Sequence, residues 1–242
     1  MNELKKPIYF FSDAHIGLND ENSNNQFPLY NFLDHVLTNA SELFIVGDLF
    51  DFWFEYKNAI PSCYNKVLYH LNKITNSGIP VHFIVGNHDC WVKDYFTNQI
   101  GINVYKEPIT ITRNEKSIHL HHGDGLALRD AGYKIMRSIL RSKLFIFLYS
   151  LLPINIGFAI GKKLSRKSRH NHKEDKNGEE QGMINYAELK LNNGCDVVIM
   201  GHHHKYLYKE FDNGIYINLG DWLNENSYAT FDGNKFELKF WK

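Results

Sequence analysis

Cysteine is scarce in this chain of 242 residues. The three present, Cys63, Cys90 and Cys195, lie far apart and form no CxxC pair. Such a set argues against a disulfide framework and fits a reducing compartment. Long apolar runs are missing as well. The most hydrophobic stretch, 144–160, is broken by Pro153, Asn155 and Gly157. It falls short of the roughly 20 apolar residues that a spanning helix needs. The opening MNELKKPIYFF passes from two lysines into a short apolar run, without the apolar region and cleavage site of a signal peptide. A cytoplasmic location is therefore expected. No repeat or low-complexity tract appears. With 43% hydrophobic and 22% charged residues, the composition excludes a disordered or collagen-like chain.

Net charge is absent too, because 27 Lys+Arg balance 27 Asp+Glu. Evenly spread, that balance would exclude a nucleic-acid binder driven by electrostatics. It is not evenly spread. From Arg129 to Lys173 there are eleven Lys/Arg and one acid, Asp130, a local excess of +10. The remainder carries 16 basic and 26 acidic residues, a balance of −10. Neutrality here is the sum of two opposed parts.

Short β-rich runs recur at 8–12, 43–46, 81–85, 117–120, 196–200 and 216–219, each ending in polar residues. Continuous apolar runs of this length suit buried strands. Residues 30–39 and 64–77 have apolar positions at helical spacing, and the tail reads as a hairpin turning near Asp232-Gly233-Asn234. The pattern predicts an α/β fold with strands split between two sheets. The segment 126–189 breaks that rhythm. It predicts a helix over 133–152, a break at Pro153, a second helix over 156–169, a polar loop, and a short helix over 183–192. We read it as a helical insertion into a core formed by 1–125 and 190–242.

Polar clusters follow the strands in order: Asp13-Ala14-His15, Gly47-Asp48-Leu49-Phe50-Asp51, Gly86-Asn87-His88-Asp89, His121-His122-Gly123-Asp124 and Gly201-His202-His203-His204. Ligands of α/β sheets bind at the carboxyl ends of strands. Five clusters at one edge would supply Asp13, His15, Asp48, Asn87, His122, His202 and His204. A pair of metals about 3.5–4 Å apart needs a bridging carboxylate. Asp48 suits the bridge; Asp13, His15 and His204 could complete one ion, and Asn87, His122 and His202 the other. Carboxylate, amide and imidazole ligands without thiolate favour Mn2+ first, with Fe2+ or Zn2+ as alternatives. Any one cluster alone is more often a turn or a surface loop. Five in consistent order at strand ends are not.

These motifs resemble the calcineurin-like metallophosphoesterase superfamily, whose order is D-x-H, G-D-x-x-[DE], G-N-H-[DE], H and G-H-x-H. The resemblance implies a four-layer αββα sandwich with two divalent metal ions. It implies His122 rather than His121 as ligand, because the ligand directly precedes the glycine, and makes His203 the variable position. It implies that a hydroxide between the metals attacks phosphorus, with Asp48 bridging the ions and His88 acting at the phosphate. Flanking segments, Gly-Asp-Leu-Phe-Asp-Phe-Trp at 47–53 and His-Gly-Asp…Asp-Ala-Gly-Tyr at 122–133, look like the UDP-2,3-diacylglucosamine hydrolases of lipid A synthesis. That family cleaves a UDP-linked diacylated glucosamine to UMP and the lipid sugar 1-phosphate beneath a helical lid. It implies substrate contacts from Asn87, His88, His202, Asp130 and Tyr133, and from Arg166 and Ser168 in the lid. The best-known branch has Arg where this chain has His88.

The insertion read by itself agrees with a lipid. Leu140, Leu144, Phe145, Phe147, Leu148, Leu151 and Leu152 are too apolar for a small cap to bury alone, and Arg137, Arg141, Lys143, Lys162, Lys163, Arg166, Lys167 and Arg169 flank them. A basic amphipathic element suits the anionic cytoplasmic face of an inner membrane. No nucleic-acid partner and no obligate protein partner is expected. The alternatives are another calcineurin-like phosphatase or phosphodiesterase acting on nucleotides, phosphoproteins or nucleic acid, or a non-catalytic module that keeps the fold.

Overall fold

The structure, a computed structural model, describes residues 6–17, 27–56, 59–129, 131–171 and 178–242; for 131 and 166–171 it describes the backbone alone. Two sheets face each other. The first has six strands, in chain order β1 (Ile8–Phe11), β2 (Glu42–Val46), β3 (Val81–Ile84), β4 (Asn103–Tyr105), β10 (Ser227–Phe231) and β11 (Phe236–Phe240). Its spatial order is β11-β10-β1-β2-β3-β4. The second contains β5 (Ile109–Arg113), β6 (Lys116–Leu120), β7 (Val197–Met200), β8 (Tyr206–Phe211) and β9 (Gly214–Leu219), ordered β5-β6-β7-β9-β8.

Alternating side chains divide the core into layers. Phe10, Phe44, Val46 and Ile84 point from the first sheet onto Ile118, Leu120, Val197, Ile199 and Ile217 of the second. Tyr9, Phe11, Leu43, Ile45 and Phe83 point the other way. They pack on the buried faces of α1 (Phe27–Asn39) and α2 (Asn65–Asn76). On the far side, α6 (Glu179–Asn192) buries Met183, Ala187 and Leu191 against Val198, Met200 and Tyr216. The layers run helix, sheet, sheet, helix, the expected αββα sandwich. The position at which sequence divided insertion from core, 189–190, falls inside α6, which packs on the second sheet over its whole length.

Between β6 and α6 stand α3 (Ala131–Leu140), α4 (Lys143–Ser150) and α5 (Ile154–Asn171). The single helix expected over 133–152 is two. Ser142 takes an extended conformation and its hydroxyl accepts from the Phe145 amide, an N-cap that restarts the helix. The break after α4 falls at Pro153, as expected. Strands β4, β5 and β8 had no counterpart in the apolar-run reading. β4 has three residues, β5 alternates half-buried and exposed positions, and β8 is mostly exposed, so none presents a continuous apolar run.

The helices α4 and α5 stand on an aromatic platform. Phe52, Phe54, Tyr56, Trp91 and Tyr149 form a buried cluster with Phe145, Leu152 and Phe158 packed against it. Two glycines one turn apart let α5 approach it: a Cβ on Gly161 would strike the Phe52 ring, and one on Gly157 the Tyr56 hydroxyl. Trp91 Nε1 donates to the Leu140 carbonyl at 2.8 Å and Tyr149 Oη to that of Gly157 at 2.6 Å.

Candidate metal centre

Strands β1, β2 and β3 run parallel, and so do β6, β7 and β9. Their carboxyl ends meet at one edge, and the polar clusters leave from there. The loops are held in an unusual backbone. Eight described non-glycine residues have positive φ, and five of them are Asp13, His15, Asp48, His202 and His204. Left-handed residues cost of order 1–3 kcal/mol each and persist where surrounding structure imposes them. Here cross-loop bonds impose them: Asp13 N to Gly47 O at 3.1 Å, His15 N to Asp48 O at 3.0 Å, and His202 N to Asp13 Oδ2 at 2.9 Å. Close approach excludes side chains at two glycines. A Cβ on Gly86 would meet the Asp48 carboxylate and one on Gly201 the Asp13 carboxylate.

Each central carboxylate divides its two oxygens. Asp48 Oδ1 accepts from the His88 amide at 2.9 Å. Its Oδ2 has no hydrogen-bond partner, although it is buried, and faces His122 Nε2 at 3.3 Å, His88 Nε2 at 3.9 Å and His15 Nε2 at 4.0 Å. Asp13 Oδ1 is likewise unpartnered, with Nε2 of His204 at 3.4 Å and of His15 at 3.7 Å. The ring nitrogens face each other too, His15 Nε2 and His204 Nε2 at 3.0 Å. His122 Nδ1 donates to the Val46 carbonyl at 3.0 Å, so in a neutral ring the lone pair of Nε2 points at Asp48 Oδ2 and, 3.1 Å away, Asn87 Oδ1. Lone pairs converge, and positive charge must lie among them. Three sets of candidate ligand atoms, each within 4.8 Å of one another, follow: Asp13, His15 and His204; His15, Asp48 and His88; Asp48, His122 and His202.

Titration behaviour carries the same demand. Burial opposes charge on His15, but Asp13, Asp51 and Asp48 override it and push the ring up to about 10. Burial also opposes charge on His122, and Asp48 raises it well above the usual range. Asp13 and Asp48 are held well below the carboxylate range despite burial, by the surrounding imidazoles. Without ions, the carboxylates recruit protons onto the rings; divalent cations supply that charge directly.

All seven expected ligands, Asp13, His15, Asp48, Asn87, His122, His202 and His204, thus come to one centre, with His88 beside them. Burial lowers His88 to about 4, and its Nδ1 donates to the Asp51 carbonyl at 2.7 Å. Asp89 does not touch this ring: it accepts from the amides of Gly86 and Leu49, at 2.7 and 2.8 Å, and so ties two ligand loops together. His121 accepts from the Gly123 amide through Nδ1 and its ring lies tilted against that of Tyr186, with centroids 5.3 Å apart. Tyr133 is half-buried and donates to Asp124 Oδ2 at 3.2 Å. Asp130 and the side chains of Arg166 and Ser168 lie outside the described residues.

Three carboxylates escaped the sequence reading. Asp221 Oδ2 lies 3.5 Å from His204 Nδ1, and its Gly-Asp at the end of β9 repeats the signal of the other clusters. Asp124 follows the His122-Gly123 pair and holds Arg137 Nε at 2.9 Å and an Arg141 nitrogen at 3.4 Å. Glu179 Oε1 lies 2.8 Å from His202 Nε2, with no motif to mark it.

The calcineurin-like phosphoesterase pattern matches residues 6–206, and the chain belongs to that family. It is a metal-dependent hydrolase. A Porphyromonas gingivalis UDP-2,3-diacylglucosamine hydrolase is 28% identical to it over 98% of both chains. A Haemophilus influenzae protein of the same name is 29% identical over 93% of both, and one from Hamiltonella defensa is 31% identical over 81% of this chain and 76% of its own. Among solved structures, that of an archaeal phosphodiesterase superposes with a TM-score of 0.51 at 14% identity, covering 97% of this chain and 99% of that one, a likeness of fold.

Proposed function

We propose that the chain hydrolyses the diphosphate of a UDP-linked 2,3-diacylated glucosamine, releasing UMP and the diacylated sugar 1-phosphate. The observation that carries this reading is the helical segment beside the centre. Helices α3 to α5 rest on the loops that hold the ligands, through Asp124, Phe52 and Trp91, and display Ile135, Ile139, Leu144, Phe147, Leu148 and Leu151 to solvent, each more than half exposed. Acyl chains are a chemically matched occupant for such a surface. Similarity to hydrolases named for this substrate, running through the helical segment, supports it. Phe52, Phe54, Tyr56 and Trp91 are buried beneath the helices and offer no stacking platform for bases, which disfavours the nucleic-acid alternative.

In this reading Asp13, His15 and His204 would hold one divalent cation and Asn87, His122 and His202 a second, with Asp48 shared between them; Mn2+ is the first choice. Such a pair lowers the pKa of water to near neutrality and neutralises charge on phosphoryl oxygens. Asn87 and His202 line the diphosphate position. His88, oriented by the Asp51 carbonyl, presents Nε2 to a phosphoryl or leaving oxygen; the negative charge of the bound diphosphate would draw a proton from solvent onto Nε2, and His88 would pass it to the leaving oxygen. The segment 126–189 supplies the lid, and Asp130, Tyr133, Arg166 and Ser168 are assigned to substrate binding by the family resemblance alone. Action takes place at an anionic inner-membrane surface from the cytoplasmic side. No helix among the described residues is long and apolar enough to cross a membrane.

The test is release of UMP from UDP-2,3-diacylglucosamine by the purified protein with Mn2+. Rapid release is expected from the acylated substrate and little from the unacylated UDP-sugar. If unacylated UDP-sugars or simple monoesters turn over well while the acylated one does not, the lipid assignment fails.

A further inference from the structure

We propose that Glu179 is a positioning residue that fixes the tautomer of His202 and so prepares its Nδ1 to bind metal. The inference rests on the two-metal reading above. Distance separates Glu179 from the other carboxylates of the site. Asp48 and Asp13 stand 3.3 to 4.0 Å from the ring nitrogens they face. Metal–nitrogen and metal–oxygen bonds of roughly 2.0–2.2 Å fit in gaps of that size. Glu179 Oε1 lies 2.8 Å from His202 Nε2, the length of a direct charge-assisted hydrogen bond with no room for an ion.

A hydrogen bond from Nε2 across this contact would decide what the rest of the ring can do. An imidazole that donates from Nε2 keeps its lone pair on Nδ1. His202 shares a ligand-distance set with Asp48 and His122, and its ring lies edge-on to His122 with centroids 4.9 Å apart. With Nε2 occupied, Nδ1 is the atom left for that set. The backbone cooperates: His202 has φ 70 and its amide is spent on Asp13 Oδ2. Glu179 is also well placed to hold the ring firmly. Its side chain is 14% exposed, and its second oxygen lies 3.5 Å from His203 Nδ1, with Glu180 Oε2 3.3 Å from Nε2 of the same ring. The two acids at the start of α6 thereby brace the 202–203 turn. They stand where the chain returns from the helical segment to the sandwich, so one contact joins that return point to the metal centre.

Stepwise titration of the full chain with Zn2+, followed by calorimetry, tests this together with long-range 1H–15N NMR of the Zn2+-loaded protein. Wild type is expected to take up two ions, with His202 protonated on Nε2. Glu179→Ala is expected to weaken one of the two sites by about 10–100-fold, the usual cost of removing a partner behind a ligand, and leave the other unchanged. Glu179→Gln, whose amide oxygen still accepts from Nε2, is expected to lose less. If wild type takes up two ions and Glu179→Ala binds both equally well, this inference falls and the two-metal reading stands. If wild type takes up fewer than two, that reading falls and takes the inference with it. A proton on Nδ1 of His202 in wild type overturns the inference without any variant, even should Glu179→Ala fail to fold.

Discussion

Asp48 shows how one residue can be both scaffold and ligand. Its Oδ1 is committed to the His88 amide, and its backbone is held at φ 49, so Oδ2 is delivered to the centre with no freedom to turn away. The same amide places His88, whose ring is neutral near pH 7 because burial lowers it to about 4. The two roles open to His88 differ in what its removal costs. As a proton-transfer group, His88→Ala lowers turnover by about 10²–10⁴-fold and leaves two ions bound; as a ligand, it takes an ion with it. We expect the first outcome, with metal content by elemental analysis equal to wild type. Loss of an ion would make His88 a ligand, as its distance to Asp48 and His15 permits. The ligands were legible in the sequence because each sits directly after an apolar run, usually beside a glycine, and both marks are local. Glu179 was not, because no motif marks it, and Asp124, although it closes the His121-His122-Gly123-Asp124 cluster, gave no sign that Arg137 and Arg141 would be its partners. Asp221 carried the local mark, a Gly-Asp at a strand end, and was passed over because its role is to hold a ligand rather than to be one.

At the scale of elements, the buried strands and the two long core helices were readable because continuous apolar runs and helical spacing coincide with burial on both sides. Edge strands β5 and β8 were not, since solvent on one face removes the signal. The helical segment was readable as helix but not in its packing. What seats α5 is the pair Gly157 and Gly161, residues that lower helix propensity and give no hydrophobic signal. Their function is the absence of a side chain against Tyr56 and Phe52. Gly161→Ala gains about 1 kcal/mol of helix propensity but meets the buried Phe52 ring, where overpacking costs about 1–3 kcal/mol. The second term wins because Phe52 is 5% exposed and has Trp91, Tyr149 and Phe158 around it. Hydrogen exchange should therefore speed up in α4 and α5 of the variant while α1 and α2 keep wild-type protection. Unchanged exchange in α5 would mean that the ring yields and that the glycines do not set the docking.

For the whole molecule, zero net charge describes neither of its two parts. The sandwich concentrates carboxylates around the metal centre, whereas the segment between β6 and α6 combines positive charge with an apolar face. Along α4 and just beyond, Leu144, Phe147, Leu148 and Leu151 follow the i, i+3, i+4, i+7 spacing of one helix face and are 53–69% exposed. Such a face on a folded protein marks a partner, and the two candidate partners of a basic apolar surface respond differently to salt. Each cation near an anionic bilayer contributes roughly 1 kcal/mol, screened by salt, and Arg137 and Arg141 are already engaged by Asp124. Each Leu or Phe side chain buried in the acyl region contributes about 1.5–3 kcal/mol, unscreened. Four such side chains contribute about 6–12 kcal/mol, comparable with the roughly 9 kcal/mol open to the nine other Lys and Arg of 129–173, and only the second contribution is screened, so binding to vesicles containing anionic lipid should weaken only in part as salt rises, whereas binding to nucleic acid through phosphate contacts would be lost steeply. Replacing Leu144, Phe147 and Leu151 together by Ser should abolish co-sedimentation with those vesicles and slow UMP release from the acylated substrate, yet leave hydrolysis of a small water-soluble phosphodiester unchanged, since none of the three touches the metal centre. A triple variant that sediments with vesicles as wild type does would assign the face to something other than lipid.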